Sequence, residues 1–406
     1  MHNTLSTEVR AVAEELTACR RALHQRPELS FAEHETTAFI EAQLRALGIT
    51  DIDRPTKTGL VAHIFGSKPG KPAAVAVRAD IDALPIAEDN DLPFLSQNPG
   101  VMHACGHDGH TAMLLSVAKL LSQSRGSFCG EARLIFQHAE ELPPGGAIEL
   151  YRAGASKGLD ALLGLHLSSA YPTGVFGIKG GPLTANVDRF DVILTGRGGH
   201  CALPEQCIDP VVAGAQLVLS LQTVVSRRVG ATDPAVLSVC KFVSGASYNI
   251  IPDEAQLSGT IRSFSPQTRA HMEAEIRRIT EGVAMSTGTR AQMEWTAGYP
   301  SVFNDAALTT LARSVLHDRF GEEGILDIAC VAPGEDFSYF LADAPGFFVE
   351  LGTRTAAGGC DMPHHNPRYR MDESALPRGV QFELDMLRKL LDGTRENLPE
   401  RSPSCA

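Results

Sequence analysis

The sequence predicts an α/β protein: a body built on a mostly parallel central sheet, with a ferredoxin-like α+β domain inserted into it. Three observations carry this. Apolar runs at 72–82, 132–136 and 161–165 are short and do not alternate, which marks strands buried on both faces of a parallel sheet. Near residue 183 the pattern changes to half-exposed alternation, and six elements follow in the order β-α-β-β-α-β. A chain of 406 residues also exceeds one ordinary core, so two domains are expected. They are 1–182 joined with 297–406, and the insertion 183–296.

The elements follow in order. Val9, Val12, Ala13, Leu16, Cys19 and Leu23 recur at helical spacing, and Pro27 breaks that helix. A second helix runs from about Glu33 to Leu47 and closes at Gly48, a residue suited to the left-handed position after a helix. The run from Pro72 reads as a buried strand ending in Asp80 and Asp82. Ala132–Phe136 ends before Glu140 and Glu141, with a helix after Gly146, and Ala161–Leu165 ends at His166. Three strands thus deliver ionisable groups to one sheet edge, where sites form in open α/β sheets. The insertion places strands at 187–195, 235–243, 254–264 and 290–296, with helices at 209–227 and 266–285. Its exposed strands and long helix suit pairing across a two-fold axis. A strand at 346–352, a helix from about 374 to 391 and a polar, frayed tail at 396–406 close the chain.

Composition excludes several classes. The 48 acidic residues outnumber 36 Lys and Arg, giving net charge −12, and no basic run is interleaved with aromatics, so no nucleic-acid partner is expected. No apolar run reaches membrane-spanning length, so no membrane partner is expected. The first residues lack the apolar centre of a signal peptide, and nine scattered cysteines without a CxxC pair read as reduced thiols. The expected location is cytoplasmic.

The densest chemistry lies in residues 101–115, where His103, Cys105, His107, Asp108 and His110 precede an apolar helical run. Three explanations compete: a metal site, a Cys–His catalytic site, or a histidine-rich helix cap. Asp108 reads as the N-cap of a helix beginning near Gly109. That puts Cys105 and His107 in the preceding loop, where the positive end of the helix dipole favours a thiolate.

Several stretches carry a resemblance. They are His24-Gln25-Arg26-Pro27-Glu28-Leu29-Ser30, Arg78-Ala79-Asp80-Ile81-Asp82-Ala83-Leu84-Pro85, His103–Asp108 and Phe136–Glu141. Gly196–Pro210, Asn249–Glu254, Gly259–Arg262, Gly334–Ser338 and His365-Asn366-Pro367-Arg368-Tyr369 continue the series. Together they resemble the M20 metallopeptidases, in the amidohydrolase/aminoacylase branch that includes hippurate hydrolases and auxin-conjugate hydrolases. The resemblance implies a zinc-peptidase-like catalytic domain with an inserted lid and dimerisation domain. It implies two divalent metal ions per subunit, zinc first, with manganese, cobalt or nickel also acceptable to such donors. Cys105 resembles a bridging thiolate, with His107, Glu141, His166 and His365 completing the ligands; His364 stands beside His365 as an alternative.

Glu140 resembles the general base and Asp82 a residue that orients a ligand, although a plain strand-end cap explains Asp82 about as well. His200 resembles a residue that reaches a neighbouring subunit's site and steadies the oxyanion. Asn249 and Arg262 are candidates for holding a substrate carboxylate; Arg262 also fits a simple structural ion pair. The implied reaction is hydrolysis of the amide bond in a small N-acyl or N-aroyl amino acid, by a homodimer or homotetramer. The alternatives are a dipeptidase or carboxypeptidase of the same family, a metal-free amidase using Cys105 as nucleophile, and a binding protein on the same scaffold. His138 stands where proline is more usual, and Arg370-Met371 where Asp-Phe is usual; neither change removes a ligand.

Overall fold

The computed structural model describes residues 5–399, so part of the tail, 400–406, lies outside the described residues. The chain divides into two compact units. The first comprises the chain up to Leu183, Val302–Ala329 and the chain from Asp336 onward; the second comprises Thr184–Ser301 and Cys330–Glu335. Residues 297–301 and 330–335 therefore pack with the second unit, beyond the expected boundary. Backbone bonds from Val187 N–H to the Tyr299 carbonyl (3.0 Å) and from Ala185 N–H to the Pro333 carbonyl (3.3 Å) hold them there.

In the first unit, α1 (Thr7–His24) starts where the Ser6 hydroxyl accepts from Val9 N–H, and it buries Val9, Val12, Leu16 and Leu23 along one face. α2 (His34–Ala46) follows, then β1 (Ile52–Asp53), β2 (Leu60–Ser67) and β3 (Ala73–Asp80). After α3 (His107–Gln123) come β4 (Cys129–Gln137), α4 (Gly146–Arg152), β5 (Ala161–Pro172) and β6 (Phe176–Ile178). The eight-stranded sheet runs β1-β2-β4-β3-β5, then Gly346–Arg354, β6 and Ile325–Asp327. Its centre, β4, β3, β5 and Gly346–Arg354, is parallel. β2 and β6 are antiparallel to their inner neighbours.

α3 is buried along almost its whole length, against α1 and the helix Leu376–Leu390. Ala112, Met113, Leu114, Val117 and Leu121 are fully inaccessible. A helix buried on nearly every side belongs inside a core, and this one fixes the residues at its start to the sheet edge.

Two of the longer elements went unread in the sequence. β2 is broken up by His63 and Gly66, so no apolar run marks it. The helix Ala306–Phe320 carried a legible signal: Asp305 caps it by accepting from Leu308 N–H (2.9 Å), and Leu308, Ala312, Val315, Leu316 and Phe320 line its buried face. β5 also overruns its expected end and continues to Pro172, so His166 projects from within a strand.

The second unit contains strands Asn186–Thr195, Ala235–Ser244, Glu254–Ser263 and Arg290–Ala297, with helices Pro210–Thr223 and Pro266–Thr287. The sheet order is Ala235–Ser244, Glu254–Ser263, Asn186–Thr195, Arg290–Ala297, antiparallel throughout, which is the ferredoxin-like arrangement. Phe190, Val192, Leu194, Leu217, Leu221, Leu257, Ile261 and Ile276 form its own core. Both helices begin alike. Asp209 accepts from Val211 N–H (2.8 Å) ahead of Pro210, and Ser265 accepts from Thr268 N–H (3.1 Å) ahead of Pro266. Ala235–Ser244 is an edge strand with Val236, Phe242 and Val243 exposed. Among the described residues, no helix is long and apolar enough to cross a membrane.

Candidate metal centre and active site

Strand ends and one helix start converge at the edge of the parallel sheet. β3 ends at Asp80, and Asp82 follows two residues later. α3 begins at His107, because Gly106 turns the chain through a left-handed conformation (φ 92°) that other residues resist. The expected cap is therefore corrected: His107 is already helical, and Asp108 lies inside the first turn. Asp108 is buried and binds Gly109 N–H (2.9 Å), Arg20 (2.9 Å) and His24 (2.7 Å). Burial opposes its charge, but Arg20 and His24 hold its carboxyl far below the usual carboxylate range.

Asp82 joins three segments. Its Oδ1 lies 3.0 Å from His107 Nδ1, and its Oδ2 accepts from the Ser30 hydroxyl (2.7 Å) and from Glu141 N–H (3.0 Å). With Nδ1–H given to Asp82, Nε2 is the nitrogen that carries the lone pair whenever the His107 ring is neutral. That nitrogen faces Glu141 Oε1 at 3.8 Å and Asp80 Oδ2 at 3.7 Å. His107 Nε2 is buried without a hydrogen-bond partner, and the buried Glu141 Oε1 has His365 Nε2 3.3 Å away. Burial lowers the His107 pKa, but Asp80, Asp82 and Glu141 outweigh it and raise it to about 10. The pocket therefore attracts positive charge.

Cys105 Sγ lies 3.5 Å from His166 Nε2 and 3.4 Å from His364 Nδ1. Cys105, His107 and Glu141 form one cluster of donor atoms mutually within 4.8 Å, and Cys105, His166 and His364 form another, sharing the sulfur. Burial, with the charges of Glu141, Glu140 and Asp80, pushes the Cys105 thiol well above its ordinary range. Burial and the carboxylates thus oppose the helix dipole, which favours a thiolate here.

Proton accounting separates the remaining histidines. Leu167 N–H donates to His110 Nε2 (2.8 Å), so His110 Nδ1–H donates to Asp80 Oδ1 (2.6 Å) and no lone pair remains for a metal. Ser169 N–H likewise donates to His364 Nε2 (3.0 Å), which makes His364 Nδ1–H a donor toward Cys105 Sγ. His365, half exposed, directs Nε2 at Glu141 Oε1 (3.3 Å), and its left-handed backbone (φ 63°) turns it away from His364. Glu140 is buried beside Glu141.

A buried network that the sequence did not reveal supports this edge. Arg78 binds Asp80 (2.8 Å), Gln137 (2.8 Å) and Asp336 (2.9 Å), and Asp336 also accepts from Gln137 and from Ala147 N–H (3.0 Å). Arg78 and Asp336 lie in motifs whose charges would have been the signal, but a charged residue in a strand reads first as exposed.

The other expected residues lie in the second unit. His200 is exposed and pairs in register with Ile250, next to Asn249. Ala202 N–H donates to its Nδ1 (3.1 Å), which leaves Nε2 as the protonated nitrogen. Arg262 stands on the strand Glu254–Ser263, half buried, with Nη1 on the Ile261 carbonyl (3.0 Å).

Thiolate, imidazole and carboxylate donors gathered at the carboxyl edge of a parallel sheet, with a second buried carboxylate alongside, define a metal-binding hydrolase class. The family described as Peptidase family M20/M25/M40 matches residues 76–389. N-acetyl-L-cysteine deacetylase of Bacillus subtilis (strain 168) is 41% identical over 384 residues, 95% of this chain and 90% of that one. N-acyl-L-amino acid amidohydrolase of Geobacillus stearothermophilus is 47% identical over 293 residues, 72% of this chain and 79% of that one. The crystal structure of the Bacillus subtilis YXEP protein, a dinuclear metal binding peptidase from the M20 family, superposes with a TM-score of 0.83 at 37% identity, covering 95% of this chain and 99% of that one. The chain belongs to peptidase family M20/M25/M40, and it is a hydrolase of amide bonds.

Proposed function

We propose that this enzyme hydrolyses the amide bond of small N-acyl or N-aroyl amino acids, using two divalent cations held by Cys105, His107, Glu141, His166 and His365. The observation that carries the reading is His107 Nε2, buried without a hydrogen-bond partner and facing Glu141 Oε1 beside Cys105 Sγ. An unpaired buried polar atom is costly, and a cation between it and the carboxylate removes that cost. Mixed sulfur, nitrogen and oxygen donors suit zinc, and manganese, cobalt or nickel also fit. His364 is assigned as a hydrogen-bond donor to the Cys105 sulfur, leaving His365 as the ligand.

Bound cations supply the acidity that lowers the pKa of water and polarises a carbonyl. Glu140 takes the proton of the attacking water on a carboxylate oxygen and returns it to the departing amine nitrogen. Asp82 fixes the ring of His107 through Nδ1 and the backbone of Glu141 through its N–H. His200, from a neighbouring subunit, donates from Nε2 to the developing oxyanion, and Asn249 and Arg262 hold the substrate carboxylate. The exposed edge Ala235–Ser244 supports a homodimer, and eight described cysteines without a disulfide support a cytoplasmic location.

Apo-protein supplied separately with zinc, manganese and cobalt, and screened against acyl-amino acids with each half varied, tests the reading. Activity should appear only with metal and depend on the acyl group. Unchanged activity in metal-free protein overturns it in favour of Cys105 as nucleophile, and preference for unblocked peptides overturns the substrate class.

A further inference from the structure

Glu33 is fully buried, far from the metal ligands in sequence, and has no assigned role. Its Oε1 accepts two backbone N–H groups, from Phe31 (3.0 Å) and from Ala139 (2.8 Å), and its Oε2 accepts from the Thr58 hydroxyl (2.9 Å). Both amide owners are unusual. Phe31 has φ 66° and Ala139 has φ 50°, two of the four positive-φ residues other than glycine in the described chain. Such a conformation costs an L-residue roughly 1–2 kcal/mol, so the surroundings must hold it.

Ala139 immediately precedes Glu140. On the other side of Glu140, the Glu141 N–H is held by Asp82 Oδ2 (3.0 Å). The residue assigned to carry the proton thus stands between two backbone amides, each gripped by a different buried carboxyl group. Ser30 ties the two grips together, because its hydroxyl binds the same Asp82 oxygen (2.7 Å) one residue before Phe31. Filling this space with an apolar side chain would avoid burying a carboxyl group. What Glu33 adds is an acceptor that reaches Ala139 across 106 positions of sequence.

We propose that Glu33 is a positioning residue: by fixing the left-handed turn at Ala139 it aims the Glu140 carboxylate. This rests on the reading of Glu140 as the proton carrier. Burial, reinforced by the Asp82 charge, also raises the Glu33 carboxyl to about 7, against its hydrogen bonds. Protonated or not, Oε1 still accepts, so the position requires reach and an acceptor rather than charge.

Two variants separate reach from charge. Glu33→Gln keeps the reach and the acceptor and loses the charge; Glu33→Asp keeps the charge and loses one methylene of reach. With metal-loaded enzyme, kcat, KM, metal per subunit and the melting curve are measured for both. The Asp variant should lose about 100-fold in kcat, the scale of a 1 Å misplacement, with KM and metal content unchanged, while the Gln variant keeps parental kcat. The inference is overturned if the Asp variant keeps its kcat, or loses it only in proportion to metal or folded fraction. A folded, fully metallated Gln variant with low kcat overturns it as well, whether or not the Asp variant folds. Glu140→Gln in the same assay tests the underlying reading separately, since parental kcat there removes Glu140 from the reaction whatever Glu33 does.

Discussion

The two units use charge in opposite ways. At the sheet edge of the first, Asp80, Asp82, Asp108, Arg78 and Asp336 are at most 2% exposed, each tied by short bonds to other buried groups. In the second, most ion pairs lie on the surface, such as Arg189 with Asp191 and Arg277 with Glu273. Buried charges are expensive unless fully paired, whereas surface pairs gain little and lose little. The first unit keeps costly groups because they hold donor atoms in place. The second rests on apolar alternation and capped helices, and spends its charges on solubility.

The largest expected effect breaks the first region at its centre. Cys105→Ser removes the sulfur shared by both donor clusters, so both metal ions should be lost together. Elemental analysis after dialysis checks this, and loss of one ion alone would show that the sulfur does not bridge. Next in size is Arg78→Met, which leaves Asp80 and Asp336 buried without their cation. Removing one partner of a buried pair costs about 3–5 kcal/mol, to be read from denaturant unfolding, and metal affinity should fall with it because Asp80 faces His107.

A third test concerns Glu383, on the helix packed against α3. It is buried, and desolvation raises its carboxyl to about 8. The folded chain therefore holds a proton between pH 4.5 and about 8 that the unfolded chain has released. The contribution of this residue to stability should fall as pH rises through that window, by up to about 1.4 kcal/mol per unit. Glu383→Gln should flatten that slope, so its advantage over the parent grows from pH 5 to pH 8. Parallel slopes in urea unfolding at those pH values would show that Glu383 does not titrate in that range.

The same contrast explains what the sequence disclosed. The parallel core and the alternating strands of the second unit were legible, because buried runs and alternation follow from local geometry. Donor residues such as Cys105 and His107 stood out because such residues rarely cluster without a site. What stayed hidden depends on long-range meetings. Glu33 on Ala139, Arg78 on Asp336 and the Ser169 amide on His364 join positions far apart in sequence, so no spacing rule announces them. Asp108 misled for the same reason, since Arg20 and His24 claim the side chain that a local rule assigned to a cap.

The smallest effect belongs to the second unit, where the comparison predicts near silence. Arg277 and Glu273 meet at 2.8 Å one turn apart on the helix Pro266–Thr287, and their side chains are 42% and 33% exposed. Water screens such a pair, and holding two long side chains costs entropy, so a double-mutant cycle to alanine should give no more than about 0.5 kcal/mol. Arg269 and Asp188 sharpen the point within the same unit. Asp188 is fully buried there and also accepts from Gly298 N–H (3.2 Å). Its cycle with Arg269 should therefore exceed the surface pair several-fold. Equal coupling in the two cycles would mean that the units differ by something other than burial.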